Sequence, residues 1–395
     1  MMAAIMAARN GAQVTVYEKN ERIGKKILST GNGKCNYSNR DFHMECYYGR
    51  YKEKLPQIFE QFSVQDTVSF FHKAGMLSKE RNGYLYPLSE QASTVLDILR
   101  LELKALGVRV ELPADVKRIK KSEKDGMFTV EANGKQERFH SVVLACGGCA
   151  APKTGSDGSG YLLAKSMGHH VTDTVPALVQ LRCRDDFLKA AAGVRCDALL
   201  KLGSEEQPLQ EERGEVQFTD YGISGIPVFQ LSRTAAYKLK EVEEVYVYID
   251  FFPDYDEREY EEMSRMRIRN REGKNAEEFL TGMANKKINM IMLKLAGLKQ
   301  AEDAKGIGEE RLKKLLYSYR KLCVHVAGAN SFENAQVSAG GVDMREVTEQ
   351  MESVFVPGLY FAGEVLDLDG RCGGYNLQWA WTSGYIAGKN AAVKR

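Results

Sequence analysis

The sequence predicts an α/β fold, a parallel sheet layered with helices, interrupted by an inserted module of strands followed by helices. Three observations carry that expectation. The opening, residues 1–10, is rich in Ala and Met and ends at Asn10-Gly11, and a β-branched run, residues 13–18, then closes on Glu18. Near the other end, residues 358–364 form a strand ending in Gly363-Glu364, and Gly373-Gly374 opens a helix that runs to about Ala392. Between them, from about residue 170, strand-like runs come first and helical runs afterwards instead of alternating.

Composition sets the outer bounds. At roughly 150 residues per domain, a chain of 395 residues holds two or three domains. Hydrophobic residues at 44% and charged ones at 27% are enough to build sizeable cores. Lys and Arg number 55 against 53 Asp and Glu, a net charge of +2, which argues against a nucleic-acid partner. The longest apolar runs, residues 142–145 with their flanks and residues 246–252, fall far short of the roughly 18–20 residues of a membrane span. Eight cysteines form no disulfide framework. The opening MMAAIMAARNGA has neither a basic n-region nor a following cleavage site, so no signal peptide is expected. The expectation is a soluble cytoplasmic protein acting on a small molecule, without a membrane or nucleic-acid partner. Its oligomeric state is left open.

The first segment reads as helix, tight turn and acid-terminated strand. These are the later parts of a dinucleotide-binding βαβ unit, in which the acid accepts hydrogen bonds from ribose hydroxyls. That acid lies about 20 residues beyond the glycine fingerprint. Counting back from Glu18 puts the glycines before Met1, so the first strand and phosphate loop are expected upstream of it. A plain Ala-rich helix is the alternative, but one that is small or apolar at every early position needs a sheet to pack on.

Thr30-Gly31-Asn32-Gly33-Lys34-Cys35-Asn36 is a loop whose backbone N–H groups can face an anion or a heterocycle, with a plain surface turn as the alternative. Residues 52–75 read as two helices with Phe59, Phe62, Phe70 and Phe71 in the core, and residues 96–106 as a helix stopped at Gly107. Residues 108–112, 116–120, 127–132 and 139–145 read as strands, the last leaving through Cys146-Gly147-Gly148. Residues 155–160 are a loop and 161–167 a helix. In the insertion, strands are expected at 177–183, 194–202, 216–219 and 245–252, and helix over 256–322. The Arg-rich stretch from Arg265 to Arg271 also holds Glu272, Glu277 and Glu278, which reads as a solvated face.

In the last helix Ala380, Gly384, Gly388 and Ala392 recur every four residues, a groove that lets a neighbour lie close. Its N-terminal N–H groups and positive dipole end face whatever lies before Gly373-Gly374. A flavin suits that place, because reduction leaves negative charge near N1 and O2 of the ring. Glu364 at the strand end can accept hydrogen bonds from ribityl hydroxyls.

Glu18–Asn39 (EKNERIGKKILSTGNGKCNYSN), Val142–Gly160, Gly214–Ser232 (GEVQFTDYGISGIPVFQLS) and Gly358–Gly388 (with GEVLDLDGRCGGYNLQWAWTSG) together resemble the bacterial BaiN-type NAD(P)/FAD-dependent oxidoreductases, also called the aminoacetone oxidase family of FAD-binding flavoproteins. The resemblance spans essentially the whole chain. It implies a glutathione-reductase-like FAD-binding Rossmann domain in two parts, residues 1–170 and 326–395. The insertion, 171–325, is β-barrel-like and β-rich over 171–253 and helical over 254–322. It further implies that Glu18 holds the adenosine ribose and that Val116 meets the adenine through its backbone. Thr30, Gly31, Gly33, Lys34, Asn36, Gly147, Gly363, Glu364, Gly374, Tyr375, Asn376 and Leu377 would line the flavin side. Lys19, Lys26, Ala145, Asp367 and Gly373 complete the expected FAD contacts. By the same resemblance Asp220 stands where many relatives carry histidine, so no histidine role transfers there.

With FAD bound, the flavin carries the redox chemistry. Cys35 is the candidate catalytic group, beside Lys34, whose charge would favour a thiolate; the alternative is a small buried residue in a packed loop. Cys146-x-x-Cys149 spans a Gly-Gly turn with no second pair, so no metal site is expected. His43, His72, His140, His169, His170 and His325 are scattered without metal-ligand spacing. Gly306-Ile307-Gly308 is a lone G-x-G before a charged helix, which leaves NAD(P)H to bind transiently at the flavin. The expected function is an NAD(P)H-linked, FAD-dependent oxidoreductase reducing a small or steroid-like organic substrate. A flavin amine oxidase that uses oxygen and a cofactor-less binding protein that keeps the fold are the alternatives. A flavin-dependent nucleic-acid modifier is disfavoured by the near-zero net charge.

Overall fold

The structure, a computed structural model, describes residues 1–242 and 244–393. The chain divides into two compact units, residues 1–175 with 332–395, and residues 176–331.

The first unit opens with α1 (Met2–Arg9), whose apolar residues are buried almost throughout, and the chain turns at Asn10-Gly11 into β1 (Thr15–Tyr17). β1 pairs in parallel with β4 (Arg109–Glu111), Thr15 opposite Arg109. Between them lie β2 (Ser38–Asn39), α2 (Leu55–Gln61), α3 (Val64–Lys73), β3 (Tyr84–Pro87) and α4 (Ala92–Ala105). Ser63 starts α3 with a capping box to Asp66, which is why two helices follow in quick succession. Phe59, Phe62, Phe70 and Phe71 are all buried. A three-stranded antiparallel sheet follows, β5 (Val116–Lys121), β6 (Phe128–Ala132) and β7 (Lys135–Phe139). Then come β8 (Val142–Leu144) and α5 (Ser159–Ser166).

The second unit holds a closed six-stranded barrel. Its strands are β9 (Leu181–Cys183), β10 (Arg195–Leu202), β11 (Gln210–Phe218), β12 (Gly222–Ser224), β13 (Val245–Asp250) and β14 (Leu322–Ala329). Around the barrel they run β9–β12–β11–β10–β13–β14, and β14 closes on β9 through Leu181 opposite Ala329. Helix α6 (Ile226–Glu241) follows β12, and α7 (Glu257–Arg269), α8 (Ala276–Leu280), α9 (Lys286–Leu295) and α10 (Glu309–Tyr317) precede β14. Alternate residues point inward along the longer strands, so Ala198, Leu200, Leu202, Val247, Ile249, Val324 and Val326 share one aliphatic core with the helices.

The chain then returns to the first unit through β15 (Leu359–Phe361), parallel to β8 with Val142 opposite Leu359, and ends in α11 (Tyr375–Ala391). The four-residue groove of α11 receives α1. A Cβ on Gly388 would strike the Ala3 carbonyl, and one on Gly384 would sit 3.1 Å from Cβ of Met2.

Several expectations are corrected. Helix α6 has no counterpart among the expected elements, and β7 is an additional strand, with Phe139 belonging to it and not to β8. Residues 256–322 are four separate helices, and Leu322 is the first residue of a strand. A boundary at 325/326 would cut β14 in the middle. The second unit ends at Ser331 because the barrel closes only with that strand complete.

Candidate functional site

The candidate site lies in the first unit, at the C-terminal ends of β1, β8 and β15 and the N-terminus of α11. Ends of parallel strands are where the chain must turn away from the sheet and where α/β folds receive ligands.

Glu18 follows β1 and continues its ladder, its N–H donating to Glu111 O at 3.2 Å. Its carboxylate accepts from the backbone N–H and the side-chain amide of Asn20, each at 2.8 Å. The Asn20 amide also donates to Thr154 O at 3.2 Å, which joins the β1 end to the loop before α5. Lys19 pairs with Asp157, whose carboxyl is held down to about 2 against its burial by Lys19 and Ser159.

Lys26 gathers the next group. Its ammonium donates to Glu364 at 2.9 Å and to Ala150 O at 3.2 Å, with Ser156 Oγ at 3.5 Å. The other oxygen of Glu364 accepts from the Ser338 N–H at 3.0 Å. Ser338 Oγ in turn accepts from the N–H groups of Cys149 and Ala150 at 2.7 and 2.9 Å. The glycines after β8 leave room for this arrangement. A Cβ on Gly147 would lie 2.5 Å from Ser156 Oγ, and one on Gly148 2.7 Å from both Ser338 Oγ and the Tyr161 hydroxyl. Ala145 is exposed at the strand end, and the Tyr161 hydroxyl is buried without a hydrogen-bond partner.

The loop from Thr30 to Asn36 is a tight turn. Gly31, Asn32, Gly33 and Cys35 all take left-handed conformations, and the Thr30 hydroxyl caps Ile27 O at 2.6 Å. Gly31, Gly33 and Lys34 are exposed. Cys35 is fully buried, and burial pushes its thiol up to about 11. The expected thiolate is therefore corrected: desolvation outweighs any help from Lys34. Asn36 Oδ1 is buried with no hydrogen-bond partner.

At α11, Gly374 is the N-cap in a left-handed conformation, and a Cβ there would sit 2.6 Å from Ser38 O and 2.9 Å from Asn36 Oδ1. No side chain fits between helix and loop. The first N–H groups of a helix have no intrahelical acceptor, so Tyr375, Asn376 and Leu377 present backbone donors here. Two of their side chains bond to the surrounding backbone. The Tyr375 hydroxyl donates to Asp41 O at 2.6 Å, and the Asn376 amide brackets Gly370, accepting from its N–H at 2.8 Å and donating to its carbonyl at 2.7 Å. Gly363 N–H donates to Ser383 Oγ at 2.9 Å, and Gly373 O accepts from Asn39 Nδ2 at 2.9 Å. Asp367 is buried, and Val116 is the half-buried first residue of β5.

The structure thus joins Glu18 and Lys19 to the loop before α5 and Lys26 to Glu364, while Asn36, Gly373 and Gly374 meet at the start of α11. Asn20, Ser156, Asp157, Ser338, Ser38 and Gln378 were not among the expected site residues. Small polar residues carry no sequence signal when their partners lie more than a hundred positions away.

A Rossmann-like domain with an acid, a lysine and glycine turns at its strand ends defines the class of the protein, an oxidoreductase of the Rossmann type. The chain is a member of one family of that class: it matches the HI0933-like protein Rossmann domain family over residues 1–390. It is 42% identical to a 3-dehydro-bile acid delta(4,6)-reductase of Clostridium scindens, over 100% of this chain and 97% of that protein. It is 28% identical to a ribosomal RNA dihydrouridine synthase of Escherichia coli, over 99% of this chain and 94% of that one. Among solved structures, a 3-ketosteroid-delta4-(5alpha)-dehydrogenase from Rhodococcus jostii shares the fold. Its TM-score is 0.50 at 18% identity, over 100% of this chain and 94% of that one.

Proposed function

We propose that this protein is a reductase that adds two electrons and two protons across a carbon–carbon double bond conjugated to a ketone in a steroid-like substrate. The observation that carries the reading is the 42% identity to the bile acid reductase, which runs the length of both chains. NAD(P)H is the proposed donor, so that NAD(P)H, a proton and the enone give NAD(P)⁺ and the saturated ketone. Such a donor pool fits a cytoplasmic enzyme, and among the described residues no helix is long and apolar enough to cross a membrane.

The residues fit a flavin nucleotide. Asn36 Oδ1 is a buried acceptor without a donor, and Gly374 leaves loop and helix end in contact, a setting suited to the edge of a flat heterocycle. In this reading Glu18 accepts from the ribose, the Val116 backbone meets the adenine, and Glu364, anchored by Lys26 and Ser338, accepts from ribityl hydroxyls. The α11 N-terminus favours negative charge on the ring. FAD, when bound there, supplies the two-electron carrier. Lys26 neutralises Glu364, so that a polyhydroxylated chain meets a paired carboxylate instead of an isolated charge.

A second reading is favoured by the relatives that are ribosomal RNA dihydrouridine synthases, because the uracil C5=C6 bond is likewise conjugated to a carbonyl. The net charge of +2 favours the small molecule. The test is anaerobic NADH or NADPH oxidation by the purified protein, with a 3-oxo-Δ4 steroid acid or unmodified ribosomal RNA as acceptor. Expected are a flavin absorption spectrum and loss of the enone absorbance with the steroid acid alone. Turnover with RNA only, or peroxide release from an amine only when oxygen is admitted, would overturn the reading.

A further inference from the structure

We propose that Gln378 is a positioning residue that holds residues 36–39 against α11 and thereby presents Asn36 Oδ1 as the acceptor for the N3–H of a flavin ring. This rests on the flavin reading above.

Three successive residues, 37–39, are hydrogen-bonded to α11 or its cap, and Asn36 abuts that cap. Asn36 Oδ1 lies 2.9 Å from where a Gly374 Cβ would be. Tyr37 O accepts from Trp381 Nε1 at 2.9 Å, Ser38 Oγ donates to Gln378 Oε1 at 2.6 Å, and Asn39 Nδ2 donates to Gly373 O at 2.9 Å. The Gln378 tie continues as a hydrogen-bonded chain into the interior. Gln378 Nε2 donates to Thr67 Oγ1 on α3 at 2.9 Å and to Thr382 Oγ1 at 3.0 Å, and Thr382 Oγ1 donates to Phe62 O at 2.8 Å. Ser38, Thr67, Gln378 and Thr382 are all fully buried. One amide thus pins β2, α3 and α11 together, and a network satisfied at every member sets a single arrangement.

The satisfied network stands beside one unsatisfied atom. A buried acceptor without a donor is costly and calls for a specific partner. Asn36 Oδ1 can be satisfied only by a donor, while the helix end beside it offers N–H groups to an acceptor. The matching ligand edge has N–H next to C=O. If the helix end takes the C2 carbonyl, where charge develops on reduction, the adjacent N–H is N3–H.

The test titrates the full apo chain with FAD and with N3-methyl-FAD, following flavin fluorescence and the vibronic shape of the long-wavelength absorption band. The unaltered protein is expected to prefer FAD by about tenfold or more, the scale of one buried hydrogen bond plus a steric conflict. Asn36→Leu should abolish that preference. Gln378→Met should reduce it several-fold and broaden the band while circular dichroism stays native, and Gln378→Glu, which keeps the acceptor for Ser38, should restore part of it. Should Gln378→Met fail to fold, Ser38→Ala removes the bond between Gln378 and the loop and is expected to lower the preference by itself. No preference in the unaltered protein, or full preference in a folded Gln378→Met or Ser38→Ala variant, overturns the inference and leaves the flavin reading standing. Binding of neither flavin overturns both.

Discussion

Cys35 and His169 show how burial decides the state of a titratable side chain. The Cys35 thiol sits at about 11, so it stays protonated throughout the neutral range. Iodoacetamide at pH 8 is expected to spare Cys35 in the native protein and modify it after denaturation, read by peptide mass. Cys35→Ala should cost about 1 kcal/mol of stability and change turnover less than about threefold, a small shift on the free-energy scale of catalysis. His169 is buried with Nδ1 against Glu346 at 2.9 Å and Nε2 against Ser353 Oγ at 2.8 Å. Burial lowers its pKa despite the Glu346 carboxylate. A group depressed in the folded state contributes stability that is complete above its unfolded value, about 6.5, and is lost as pH falls below it. The melting temperature should therefore fall more steeply below pH 6.5 in the unaltered protein than in His169→Gln; parallel curves would reject the assignment. Glu18, Glu364 and Gly374 stood out in the sequence because each ends a strand or caps a helix. Gln378 and Ser38 did not, since their bond joins residues far apart in the chain.

The best-read elements were those whose pattern and punctuation agree. α1 ends at the Asn10-Gly11 stop, and α3 sits behind a Ser63–Asp66 capping box. α6 escaped because Gln230 and Ser232 lie on its buried face, diluting the apolar stripe that marks a helix. β7 escaped for the opposite reason: its sequence, KQERF, is polar, although the Asn133-Gly134 dipeptide before it is a hairpin signal. The small-residue groove of α11 was legible, and its contact with α1 makes a differential prediction. Alanine gains about 1 kcal/mol over glycine in a helix interior. Overpacking a tight contact costs about 1–3 kcal/mol. Gly384→Ala comes closest to a side-chain atom, Met2 Cβ at 3.1 Å, and no nearer than 3.5 Å to backbone, so the two effects should nearly cancel. Gly388→Ala meets the backbone of Ala3 and should be destabilised by a net 1–2 kcal/mol or so. Urea midpoints of the two variants decide it, and equal midpoints would show that α1 can yield.

At the scale of the whole molecule, chain order determines which part can stand alone. The insertion was visible because the character of the sequence changes near residue 170, but its end was not, because a barrel strand directly follows the helices. All six barrel strands and the core that they enclose come from one continuous segment, residues 176–331, so no strand is borrowed from outside it. The first unit is the reverse case. β8 finds its partner β15 only after the insertion, and α1 packs on α11, near the far end of the chain. Residues 176–331 expressed alone should therefore give a single sigmoidal urea transition and a structured near-ultraviolet dichroism spectrum. Residues 1–175 alone should give neither, since the cost of ordering the chain is not offset when β8 lacks its neighbour and α1 its groove. Adding residues 332–395 in trans should restore cooperative unfolding to residues 1–175. A cooperative transition in 1–175 alone, together with none in 176–331, would show that the barrel draws its stability from the unit into which it is inserted.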